Sequence, residues 1–127
     1  MSKEISYDIR ADIDKNRLYI TFKGFFPENL TVEIADKTIA EATKLKPGFV
    51  IINDITQTLP TSGRGAEQIQ RVQEFMRQQG VRRVIRIVDP KNVLARVQFE
   101  RTGKDAGYTI PVDVVGSLEE ALRLLEE

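Results

Sequence analysis

The 127-residue sequence has neither cysteine nor histidine. The lone chain therefore forms no disulfide, and zinc, haem and iron–sulfur ligation by those side chains is excluded. Ser-His-Asp and Cys-His nucleophilic catalysis fall with them. A surplus of either charge is also missing, because nineteen Lys+Arg balance nineteen Asp+Glu and the isoelectric point lies near 6.4. Nucleic-acid binders normally carry a strongly basic surface, so no nucleic-acid partner is expected. No apolar run approaches the roughly 18 residues of a membrane span. The opening MSKEISYD has no signal-peptide apolar region, and the expectation is a cytoplasmic protein without a membrane span.

Hydrophobic residues make up 41% of the chain, enough to build a single domain over residues 1–127. Ile5, Tyr7, Ile9, Ala11 and Ile13 alternate with polar residues, and so do Leu18, Ile20 and Phe22 beyond the turn-forming Asp14-Lys15-Asn16. This predicts an antiparallel hairpin, ended by Gly24 and Pro27. From Thr31 to Lys46 the apolar residues Ile34, Ala35, Ile39, Ala42 and Leu45 recur at a helical period, and Pro47-Gly48 stops that helix. Phe49-Val50-Ile51-Ile52, leading into Asn53-Asp54, has the continuous apolar pattern of a strand covered on both faces. A polar loop from Thr56 to Gly65 then hands over to a helix with Ala66, Ile69, Val72, Phe75 and Met76 inward, capped by Gly80.

Val84 to Val88 reads as the next buried strand, and residues 92–101 as a third helix with Leu94 and Val97 inward. Tyr108 to Val115 reads as a final strand, in which Pro111 points to an edge or irregular position. Ser117 as N-cap, with Glu120 three residues later, opens a closing helix bearing Leu118, Ala121, Leu122 and Leu125 on one face. The order β-β-α-β-α-β-α-β-α predicts an α/β fold, a mixed sheet of about five strands with four helices. Strands 49–54 and 84–88 should be a parallel pair joined by a right-handed crossover. Ligands and partners of open α/β sheets gather at the carboxyl ends of such strands, which directs attention to residues 55–65.

That segment holds four hydroxyl residues (Thr56, Thr58, Thr61, Ser62), then Gly63-Arg64-Gly65 at a helix start. A helix N-terminus stabilises an anion, and phosphorylation of Ser62 or Thr61 would place roughly −1.5 to −2 charges there beside Arg64. The plainer alternative is that Ser62 or Thr61 is an N-cap and the glycines serve the turn.

Asp54-Ile55-Thr56 at a strand end and Ser62-Gly63-Arg64-Gly65 at the next helix start resemble the STAS domains, which include the anti-sigma-factor antagonists. Val84 to Val88, Arg101-Thr102-Gly103 and the ending Ser117-Leu118-Glu119-Glu120-Ala121-Leu122 continue the likeness, which covers residues 45–127 well and 1–44 by element order. The resemblance implies a non-enzymatic regulatory domain without a cofactor, whose partner is an anti-sigma-factor kinase or another regulator. It also implies that Ser62 is the phosphorylation site. Thr61, Pro60 and Arg64 depart from the family pattern, and the loop is about two residues shorter. Leu45 to Ile55 further resembles a less characterised STAS-like branch compared with the CRAL-TRIO lipid-transfer fold, which makes a binding protein for an apolar, lipid-like or nucleotide-like ligand the alternative.

The partner-binding residues expected from this reading are Asp54, Thr56, Thr58, Ser62, Gly63, Arg64 and Arg86. Between Arg64 and Arg86 six arginines face two glutamates, either a docking surface for an acidic partner or a solvated helix face. Arg86 alternates inside an apolar strand, so its head must reach an edge, a carboxylate or a pocket. Phe22, Phe25, Phe26 and Leu30 would line an apolar pocket, form a homodimer contact or pack into the core. Asp12, Asp14 and Asp54 are too dispersed for a shared metal, and no metal site is expected.

Overall fold

A computed structural model describes residues 5–25, 27–58, 63–89, 91 and 110–126. The alternating segments form the hairpin β1 (Ser6–Asp12) and β2 (Arg17–Gly24), paired antiparallel with Ile9 opposite Ile20. Helix α1 (Glu28–Ala42) leads to β3 (Val50–Thr58), and α2 (Gly63–Gln79) leads to β4 (Arg83–Ile87). Strand β5 (Val112–Val115) and helix α3 (Leu118–Leu124) complete the described elements. The sheet order is β1-β2-β3-β4-β5, antiparallel at the first pair and parallel thereafter, so the molecule is a mixed five-stranded α/β domain.

Three helices stand among the described residues, in the order β-β-α-β-α-β-β-α. The helix expected over 92–101 lies outside them. Helix α1 begins and ends earlier than its apolar stripe implied. The Pro27 carbonyl accepts the first free amides, from Leu30 and Thr31, and the chain leaves the helix at Thr43. Leu45 still reaches the core, but from the turn after the helix. Strand β3 is longer than expected. Residues 56–58, read as loop, continue the strand, with Lys23 of β2 opposite Gln57 and Gly24 opposite Thr58.

Side-chain alternation divides the core between two faces. Leu18, Ile20, Ile51 and Val84 pack with Ala42 of α1 and Met76 of α2 on one face. Val50, Ile52, Ile85 and Ile87 pack with Ala121 of α3 on the other. Strand β5 begins only at Val112, so Pro111, expected within the final strand, stands just before it; among the described strands β5 lies at the other edge of the sheet. Ser117 caps α3 by accepting the Glu120 N–H at 3.2 Å, while the Glu120 carboxylate accepts the Gly116 N–H at 2.7 Å.

Candidate functional site

The carboxyl ends of β2, β3 and β4 meet at one end of the sheet. Thr21 pairs with Asp54, but the next matched pair is Lys23 with Gln57, so Ile55 and Thr56 together oppose Phe22. This is a β-bulge, which bends a strand and re-aims its side chains. The bulge is held by Asp54, whose Oδ1 accepts both the Thr56 N–H at 3.0 Å and the Thr56 hydroxyl at 2.7 Å. Both side chains are half-buried. A carboxylate is a stronger acceptor than a neutral oxygen, so the Asp-x-Thr step rigidifies the strand where it leaves the sheet.

Beneath the bulge, Ile55 of β3 and Val88 after β4 pack with Phe22 of β2 and Ile69 of α2. This cluster anchors β3 just before residues 59–62 and α2 just after them. Asp54 and Thr56 thus come shortly before residues 59–62 in the chain, which include Thr61 and Ser62 and lie outside the described residues. Thr58 closes β3, and Gly63 and Arg64 open α2.

Arg86 stands near this end of β4 but is buried. It is 3% exposed, with its Cα opposite that of Asn53, itself 6% exposed. Both project, by alternation, toward the α1 and α2 face. Above them α2 presents Gln73, also 6% exposed, between Ile69 and Met76 on its inner stripe. Asn53, Gln73 and Arg86 therefore form a polar layer between the apolar layer of Ile51, Val84 and Met76 and that of Ile55, Val88 and Ile69. A partner cannot touch Arg86 directly; its side chain belongs to the interior. Gln73 escaped the sequence reading, although its position at i+4 from Ile69 and i−3 from Met76 places it on the buried stripe.

Three of the other arginines are engaged by separate partners. Arg71 bonds Asp36 of α1 and the Gln68 side chain, Arg83 pairs with Asp113 of β5, and the Arg82 Nε donates to the Gly48 carbonyl at 3.4 Å. The expected aromatic cluster is divided, since Phe22 packs into the core and Phe25 is exposed, while Phe26 lies outside the described residues. The sheet order runs from β1 to β5 without reversal, so these strands lack the topological switch point at which α/β sheets open a ligand crevice. Among the described residues no group of His, Cys, Asp or Glu could hold a metal ion, and no helix is long and apolar enough to cross a membrane.

No protein-family model and no curated protein matches the sequence. Solved structures do match the fold. The chain is similar to an uncharacterised protein of the DUF3478 family from Shewanella loihica, described as having a SpoIIAA-like fold, with a TM-score of 0.62. Identity is 16%, over 98% of this chain and 96% of that one. An anti-sigma factor antagonist from Mycobacterium paratuberculosis aligns with a TM-score of 0.49 and 13% identity, over 98% of this chain and 96% of that one. The chain has the SpoIIAA-like, STAS-type fold.

Proposed function

We propose that the chain is a non-enzymatic regulatory domain that binds a protein partner through residues 55–65 and α2, and that phosphorylation of Ser62 switches the binding. The observation that carries this reading is the Asp54–Thr56 lock, in which one carboxylate holds the bulged end of β3 immediately before the segment bearing Ser62. A rigid strand end and a helix packed on the same cluster give that segment fixed ends. A dianionic group on Ser62 would change the charge presented to a partner.

The same reading accounts for the side chains on offer. Asp54 and Thr56 satisfy each other, and the chain contains no histidine to serve as a proton shuttle. The SpoIIAA-like fold supports the assignment at the level of architecture. The test is capture of partners from the source cell by immobilised wild-type, Ser62→Ala and Ser62→Asp proteins. The expected result is a partner held by wild type and Ser62→Ala and released by Ser62→Asp. Equal retention by all three proteins defeats the switch.

A further inference from the structure

The sheet ends on β1, whose outer edge meets no strand among the described residues. Proteins commonly blunt such edges with charge or with short strands. Strand β1 is seven residues long, and its charges have opposite signs, Asp8 and Asp12 flanking Arg10. On either side of the strand Ile5 is 44% exposed and Ile13 is 61% exposed.

These features share one symmetry. A second copy laid antiparallel along this edge, with the twofold axis through Ile9, sets Asp8 of each copy against Arg10 of the other. The same register sets Ile5 against Ile13, Tyr7 against Ala11 and Ser6 against Asp12. Opposite charges then face each other twice on one face of the joined sheet, and an apolar row crosses the other, the two kinds of cross-strand pair that stabilise antiparallel sheets. Neighbouring registers fail. An axis through Asp8 sets that carboxylate against its own copy, and an axis through Arg10 opposes two arginines as well as Asp8 and Asp12.

Backbone direction agrees with this register. The Ala11 N–H donates to Glu41 Oε1 of α1 at 3.2 Å, so it points out of the sheet edge, and alternation turns the peptide groups of Tyr7 and Ile9 outward too. Ile9 with its copy, and Tyr7 with Ala11, then form the hydrogen-bonded pairs. Asp8 and Arg10 fall at the non-hydrogen-bonded position, where side chains approach most closely. The Arg10 guanidinium lies 4.4 Å from the centre of the Tyr19 ring of β2, one strand in from the edge, and must turn outward to meet the second copy's Asp8.

We infer that β1 is a self-complementary docking strand through which two copies of this chain form a twofold dimer with one continuous sheet. Glu41 is the internal competitor, because its carboxylate must leave the Ala11 amide before the carbonyl of the second copy's Tyr7 takes its place.

The experiment is sedimentation equilibrium of the full chain up to millimolar concentration, on wild type, Asp8→Arg, Arg10→Asp, the double variant, and an equimolar mixture of the two single variants. Circular dichroism checks that each variant folds. Wild type should dimerise, and each single variant should weaken the dimer on the order of tenfold, since two attractive pairs become repulsive. The mixture and the double variant should both recover it, because each restores two opposite-charge pairs. A wild-type chain that stays monomeric at every concentration, or a dimer indifferent to these reversals, overturns the inference.

Discussion

Asn16 grips both backbone groups of Lys46. Its Nδ2 donates to the Lys46 carbonyl at 3.1 Å, and its Oδ1 accepts the Lys46 N–H at 2.9 Å. Asn16 also adopts φ 55°, a left-handed conformation that asparagine tolerates better than most residues, and its carbonyl accepts the Val50 N–H at 3.2 Å. One side chain thus ties the hairpin turn to the chain between α1 and β3, and its backbone seats the first residue of β3.

Replacing Asn16 separates these contributions. Asn16→Gly keeps the conformation and loses both side-chain bonds, which should cost about 1–2 kcal/mol. Asn16→Ala loses the same bonds and adds left-handed strain, about 1 kcal/mol more. Urea denaturation should rank wild type above Gly and Gly above Ala. Equal midpoints for the two variants would show that the positive φ costs nothing.

Gly80 ends α2 at φ +95°, and a Cβ there would lie 3.0 Å from the Pro47 Cβ and 3.2 Å from its Cα. Gly48 has nearly the same backbone angle, φ +91°, with nothing within 4 Å of an added Cβ. Gly48→Ala should therefore cost strain alone, about 1 kcal/mol. Gly80→Ala should cost about 2–3 kcal/mol, because the Pro47 ring cannot turn aside as a long side chain would. Thermal unfolding of the pair isolates the clash, and equal losses would remove it from the account.

The Asp54–Thr56 lock predicts a local effect before a global one. Asp54→Ala removes the acceptor for both Thr56 groups and should cost about 2 kcal/mol, while Thr56→Val removes only the hydroxyl bond and should cost about 1 kcal/mol. Hydrogen exchange at the Thr56 amide should accelerate in Asp54→Ala more than at the centre of β3. Unchanged exchange there would mean that the bulge is held by something other than the carboxylate.

These residues also mark how far the fold is legible in the chain. The β1–β2 alternation and the Ser117 cap depend on neighbours a few residues away, and both stand where their patterns place them. The end of β3 does not, because residues 56–58 become strand only through Lys23 and Gly24 of β2, a pairing to which no local pattern points. Arg86 is conspicuous as a charge in an apolar strand, yet whether its head meets solvent or protein depends on α2 lying over it. The partners of Arg71 and Arg83 are hidden for the same reason, since Asp36 and Asp113 belong to distant elements.

Glu41 supplies the remaining prediction, a dependence on pH. The Lys44 ammonium bonded to its carboxylate is the main cause that holds its pKa below the usual value; partial burial opposes this, and the Ala11 amide adds to the lowering. A carboxyl whose folded pKa is depressed stabilises the fold fully above its ordinary unfolded pKa, and that stabilisation is lost as pH falls through the depressed value. Glu41→Gln keeps an acceptor for the Ala11 N–H but removes the charge. Wild type should therefore exceed Glu41→Gln in stability at neutral pH, and the difference should vanish in acid. Lys44, the partner of Glu41, is half exposed, so the difference should be small and should shrink with added salt. Urea midpoints of both proteins across the acid range, at low and high ionic strength, test this. A difference that persists below the carboxylate range would belong to the shape of the side chain, and the charge would drop out of the explanation.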